Sequence, residues 1–147
     1  MLSPLKINVY LVACALCVFI SGCACRDATK IVRHTFNPWE SEIGYAEVVQ
    51  AGNTFYISGV VCEGTDYQKA VGECYQELQT ILDKLKLTTK NIVKENVYAL
   101  DIEQFKLQIE QRKKFYGNAN YPAATWIQVS RFYMPAHLVE IELIAVK

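Results

Sequence analysis

The chain has 147 residues and balances 15 lysines and arginines against 15 aspartates and glutamates. With no net charge and no basic block, it lacks the electrostatic footprint of a nucleic-acid-binding protein. Its length allows one domain with a real core and is too short for two ordinary ones.

The first segment reads as a leader. A single Lys6 precedes an apolar run from Ile7 to Ile20, followed by Ser21-Gly22-Cys23. The run is short for a membrane span, and small residues before a cysteine are the pattern of a lipoprotein signal peptide. The expectation is cleavage after residue 22, lipid on Cys23 and anchoring of the mature chain to a bacterial membrane. Ala24, rather than aspartate, follows the lipid site and favours the outer membrane, with the protein on its periplasmic face. Residues 23–35 are polar and basic without periodicity and read as a lipidated tether; residues 36–147 form the domain.

Six cysteines need sorting. Cys14 and Cys17 form a C-x-x-C, but both lie in the leader and leave with it. Cys62 and Cys74 remain in a compartment where disulfides persist, so they are either bridged or two small buried hydrophobes. The place of Cys74 on an apolar helix face favours the second state. Cys25 is the odd one out.

Strands are predicted at Tyr45 to Gln50 and Thr54 to Gly59, joined by Ala51-Gly52-Asn53, with the second running on to Cys62. Thr65 and Gln68 are spaced as a capping box for a helix whose apolar face carries Tyr67, Val71, Cys74, Leu78, Ile81, Leu82 and Leu85. A third strand spans about Ile92 to Leu100. Asp101 then caps a helix with Ile102, Phe105, Ile109, Arg112 and Tyr116 on one face and Gly117 at its end. Two further strands flank Phe132 to His137. In the last, Val139, Ile141, Leu143 and Ala145 alternate with Glu140, Glu142 and Ile144, which puts both carboxylates on the face opposite the aliphatic set. The pattern is α+β, with helices on one face of the sheet and a mixed polar and apolar face on the other. Such a face calls for a covering partner. His34 and His137 are isolated and expected at the surface. No metal-ligand spacing, phosphate-binding glycine loop or Ser-His-Asp set appears, so no cofactor is expected.

Four segments together resemble the YjgF/RidA family: Ile43-Gly44-Tyr45, Ala51-Gly52-Asn53 running into Ile57-Ser58-Gly59, Pro122-Ala123, and Val139-Glu140-Ile141-Glu142. The resemblance covers about Phe36 to Lys147. It implies a chorismate-mutase-like fold, a homotrimer and a small-molecule cleft between subunits, where founding members hydrolyse reactive enamines and imines. Carried over residue by residue, Tyr45 matches the cleft tyrosine, Ser58 and Gly59 the strand-end pair that shapes the pocket, and Glu140 the carboxylate thought to orient water. On their own these residues read as a packed aromatic, a strand end and a solvated carboxylate.

Three positions depart from the deaminase pattern. The arginine that clamps a substrate carboxylate is replaced by Ala124, the cleft asparagine by Ile109, and a cysteine by Trp126. Each replacement removes polarity or adds bulk. A carboxylate ligand would lose a bidentate charge-assisted pair, on the order of 2–5 kcal/mol. Asn37-Pro38-Trp39-Glu40, Gly44-Tyr45 and Pro122-Ala123-Ala124-Thr125 resemble an arginine-lacking branch of the family, although Glu47 stands where many of that branch carry arginine. The expected function is a lipid-anchored trimeric protein that binds or transforms a small metabolite, without classical 2-imino-acid deaminase activity. The alternatives are an enamine or imine deaminase acting through Glu140, with a raised pKa suited to acid or base work, and a non-enzymatic envelope interaction module. Family members have also been labelled ribonucleases, a reading that the neutral chain argues against.

Overall fold

The computed structural model describes residues 28–147. The leader and the cysteines at 14, 17, 23 and 25 lie outside the described residues. The elements are β1 (Ile31–His34), α1 (Pro38–Glu42), β2 (Val48–Ala51), β3 (Thr54–Glu63), α2 (Tyr67–Leu85), β4 (Ile92–Ala99), α3 (Ile102–Lys106), α4 (Ile109–Phe115), β5 (Ala123–Gln128) and β6 (His137–Val146).

The sheet order is β1-β2-β3-β6-β4-β5. All pairs are antiparallel except β4 with β5, which run parallel and are joined through α3 and α4. A parallel pair needs such a crossover, and it returns the helices to the same face as α2. The alternation along β6 holds as predicted: Val139, Ile141, Leu143 and Ala145 are buried beneath the helices. From α2 they meet Val71, Leu78, Ile81 and Leu82, all nearly inaccessible. The opposite face stays open within one subunit, with Tyr56, Val61 and Ile127 exposed around Glu140, Glu142 and Ile144.

A bulge in β3 decides which of its side chains reach the core. Ile57 pairs with Leu143, but Val60 pairs with Ile141, so Ser58 and Gly59 together span a single step of β6. The extra residue shifts the pleat by one. Phe55 and Ile57 before it, and Val60 and Cys62 after it, therefore all point toward the helices and are buried. Simple alternation would have split those residues between the two faces. A second register shift between Ile92 and Lys94 does the same for β4, leaving Val93 exposed and turning Glu95, Val97 and Ala99 inward.

The bulge also corrects the reading of the cysteines. Cys62 is turned toward α2, where the apolar face presents Cys74, and the two form a disulfide with their Cα atoms 5.3 Å apart. That separation lies well within the range a bridge needs. The burial of Cys74 that favoured two free thiols is the same placement that brings the sulfurs together.

Other expectations shift locally. Residues 31–34, read as tether, form β1, because pairing from Ile31↔Ala51 to His34↔Val48 covers the backbone edge of β2. The first strand of the domain begins at Val48 rather than Tyr45, and Tyr45 to Glu47 approach it as extended backbone outside the ladder. Gly52, at φ +61°, and Asn53 make the tight turn into β3. The α2 cap is Asp66 rather than Thr65: its carboxylate accepts from the amides of Gln68 at 2.9 Å and Lys69 at 3.4 Å. Asp101 caps α3 as predicted. The helix expected to continue to Tyr116 instead breaks at Leu107 and Gln108, where the bond from Gln108 N–H to Phe105 C=O tightens the turn. Leu107 is 72 % exposed and has no core contact to hold it in register.

Reducing the Cys62–Cys74 bridge, or replacing both cysteines by alanine, should lower unfolding free energy by about 3 kcal/mol, as expected for a loop of this size. Urea denaturation with and without reductant measures the loss, and a Cys25→Ala background isolates the bridge.

Candidate functional site

The residues singled out on the sheet side of the domain come together. Tyr45 O–H donates to the Gly59 carbonyl at 3.3 Å, and its ring stacks on Trp39 with centroids 5.5 Å apart. Ser58 O–H donates to the Ala46 carbonyl at 2.8 Å, which fastens the incoming arm to the bulge. Gly59 is required by contact rather than by φ. A Cβ there would meet the Glu140 carboxylate, with Cδ at 2.6 Å and Cγ at 2.7 Å. The glycine thus makes the room in which Glu140 lies.

The two carboxylates on the open face of β6 have opposite fates. Glu142 Oε1 accepts from Asn96 Nδ2 at 2.6 Å and from Tyr98 O–H at 2.9 Å. Glu140, half-buried, has no hydrogen-bond or ion-pair partner among the described residues. Burial, and then the neighbouring Glu142, push its pKa above the ordinary carboxylate value, against an opposing pull from His137. This agrees with the expectation for a carboxylate without a nearby cation. Burial likewise raises the Tyr45 phenol, with Glu47, Glu140 and Glu40 adding to it against the Ser58 hydroxyl. The result is a protonatable carboxylate and a neutral phenol on either side of the Gly59 backbone.

Ile109, Ala124 and Trp126 lie elsewhere in the subunit. Ala124 pairs with Glu95 and Trp126 with Val97, and since Glu95 and Val97 point into the helix layer, so do Ala124 and Trp126. Glu140 pairs with Tyr98 on the other face. Ile109 opens α4 in the helix layer. Within one chain the sheet separates these three from Glu140.

Trp126 is tied to a cluster that sequence reasoning missed. Glu95, fully buried, accepts from Tyr75 O–H at 3.2 Å and Tyr116 O–H at 3.0 Å on one oxygen. Its other oxygen accepts from Arg112 Nε at 2.6 Å and Trp126 Nε1 at 3.3 Å. The guanidinium packs against the rings of Tyr116, Tyr121 and Trp126, with its carbon 4.9, 5.6 and 5.0 Å from their centroids. Arg112 was expected only as one residue of a helix face, with no partner assigned to it. The available signal was Glu95 itself, an acid in a strand otherwise rich in Val and Tyr.

The histidines also correct the sequence reading. His137 is buried rather than at the surface, with Nε2 3.1 Å from Glu63 Oε1. His34 is half-buried on β1, and its Nε2 has no partner among the described residues.

The fold has two helical crossovers over one sheet face, an open opposite face and a carboxylate seated on a bulge glycine. Comparison identifies its family. Residues 35–147 match the family model described as endoribonuclease L-PSP, and the chain belongs to that family. A RutC family protein of Aquifex aeolicus is 28% identical over 113 residues, covering 70% of this chain and 88% of the relative. A RutC family protein of Pasteurella multocida is 27% identical over 130 residues, covering 81% and 98%. Among solved structures, a member of the YjgF/YER057c/UK114 family from Mycobacterium tuberculosis superposes with a TM-score of 0.71 at 22% identity, covering 80% of this chain and all of that one. Yeast Mmf1 superposes with a TM-score of 0.70 at 20% identity, over 80% of this chain and 99% of that one.

Two substitutions test the geometry. Gly59→Ala should displace the flexible Glu140 side chain at a cost of about 1 kcal/mol or less. Glu95→Ala should cost about 3–5 kcal/mol, because it leaves Arg112 buried and charged with nothing opposite it. Denaturant midpoints measure both.

Proposed function

We propose that the mature protein is a lipid-anchored homotrimer that binds or transforms a small metabolite in a cleft between subunits, without classical 2-imino-acid deaminase activity. The observation that carries this reading is the pairing of an unsatisfied Glu140 against Gly59 with an alanine at position 124. A carboxylate-selective pocket requires a cation opposite the ligand, and position 124 offers none. The open sheet face, with its exposed Tyr56, Val61 and Ile127, supports self-association. The separation of Ala124 and Trp126 from Glu140 by the sheet supports a cleft completed by a neighbouring subunit.

The Cys62–Cys74 bridge supports export, since disulfides persist in oxidising compartments and are rare in the bacterial cytosol. It fits the leader and the lipid attachment at Cys23, with the domain on the periplasmic face of the outer membrane.

A second reading, hydrolysis of an imine or enamine, draws on the raised pKa of Glu140. A carboxyl whose pKa is raised by burial gives and takes a proton more readily than an ordinary carboxylate, as water activation requires. In that case the substrate would be held by the Gly59 carbonyl and Tyr45 rather than by a guanidinium.

Sedimentation equilibrium should give three times the protomer mass, and labelled palmitate should be incorporated by the full chain and not by Cys23→Ala. In a thermal-shift screen of neutral and carboxylated metabolites, neutral compounds should stabilise the protein more. An imine generated in place by an amino-acid oxidase should decay no faster than in buffer. Acceleration that disappears in Glu140→Ala would instead establish the deaminase.

A further inference from the structure

Beside Tyr45 the structure contains a cavity of about 190 Å³. Its lining residues include Trp39, Tyr45, Gly59, Val61, Glu47 and Glu77. The rings are inclined by 30° to one another. Glu47 is only 8 % exposed, yet its carboxylate has no hydrogen-bond or ion-pair partner among the described residues.

The neighbouring acid shows what a satisfied carboxylate looks like here. Glu40 accepts from the Phe36 and Asn37 amides and the Asn37 side chain on one oxygen, and from the Glu47 amide on the other. It caps α1 and needs nothing more. Glu47 has no such donors. The groups acting on it are Glu40 from α1 and Glu77 and Lys84 from α2, with the Tyr45 phenol beside it. Lys84 extends its ammonium over the Phe36 ring, 4.6 Å from the centroid, and forms no ion pair with Glu47. The cavity therefore joins a largely buried acid without a protein donor, whose oxygens still meet solvent, a second acid and two aromatic residues, with Lys84 held over Phe36.

We infer that this cavity binds a small organic cation, a primary or quaternary ammonium, with its charge on Glu47 and its alkyl surface against Trp39 and Tyr45. Aromatic faces attract cations through the ring quadrupole, and a partly desolvated carboxylate strengthens that attraction. At roughly 30 Å³ for each water-sized group, 190 Å³ accommodates about six heavy atoms. The inference rests on the ligand cleft proposed above, whose Tyr45 and Gly59 it shares, and it assigns the chemical class of the ligand.

Protonation and binding are linked at this site. Burial, together with Glu40 and Glu77, raises the Glu47 pKa to about 7. A folded-state value above the unfolded one favours the folded state at low pH, and that contribution is lost as pH rises from about 4.5 through about 7. An ammonium that selects the carboxylate form displaces the proton.

The test uses the full protein with n-butylammonium and tetramethylammonium chlorides, against sodium chloride at the same ionic strength. Both organic cations should raise the melting temperature above the sodium control. Calorimetry at pH 7 in two buffers of different ionisation enthalpy should show proton release on binding, falling away as pH is raised well above 7. Glu47→Gln should weaken binding about tenfold or more and abolish the proton release. Trp39→Leu should weaken tetramethylammonium more than n-butylammonium, and it supplies an independent arm if Glu47→Gln fails to fold by circular dichroism. No stabilisation beyond sodium, or unchanged affinity in a folded Glu47→Gln or Trp39→Leu protein, would overturn the inference. Failure of the ammonium probes while neutral metabolites still stabilise the protein rejects the ligand class and leaves the cleft standing; failure of every class rejects both.

Discussion

One buried carboxylate joins the two layers of this domain. Glu95 projects from β4 into the helix layer and takes a donor from each surrounding element: Tyr75 from α2, Arg112 from α4, Tyr116 from the end of α4, and Trp126 from β5. An isolated buried charge would be untenable, and an ion pair alone would scarcely offset its desolvation. Four donors on two oxygens change that balance, because each lone pair that leaves water finds a directed partner. The cluster also gives a reason for the break at Leu107 and Gln108, since the part of the helix after the break is the part that delivers Arg112 and Tyr116 to Glu95.

The acids of the domain divide by whether the fold supplies donors. Glu40, Glu95 and Glu142 are each met by at least two, and they serve as a cap, a core pin and a cross-strand tie. Glu47 and Glu140 are buried or half-buried without donors, and both have pKa values raised by that burial. They flank Tyr45, whose phenol responds to both. A protein leaves carboxylates in that state where something else completes them. The tyrosine, the Gly59 backbone and these two acids form a continuous strip along the bulge, and the functional reading is concentrated there.

The family frame was legible because it rests on short-range patterns. The alternation of Val139 to Ala145, the helical spacing from Tyr67 to Leu85, and the Gly52-Asn53 turn each depend on neighbours within one element. The conjunction of Tyr45, Ser58, Gly59 and Glu140 was legible through resemblance, and the structure brings those four together. The state of Cys62 was not legible: its direction depends on a one-residue bulge set by pairing with a strand some eighty positions away. Nor was β1, Ile31 to His34, a four-residue strand formed where it covers the edge of β2. The Arg112–Glu95 pair was hidden because its partners lie on separate elements seventeen positions apart and meet only when α4 packs on the sheet.

From sequence alone came the α+β order, the apolar faces of α2 and β6, and the shared face of Glu140 and Glu142. These follow from backbone periodicity and residue chemistry, which the chain carries wherever it folds. Only the tertiary structure decided that Glu142 is tied to Asn96 and Tyr98 while Glu140 is not, that Cys62 meets Cys74, and that Glu47 is buried beside two aromatic rings. Whether a carboxylate is solvated, paired or unsatisfied depends on donors from distant parts of the chain, and folding alone brings them within 3 Å or leaves them out of reach.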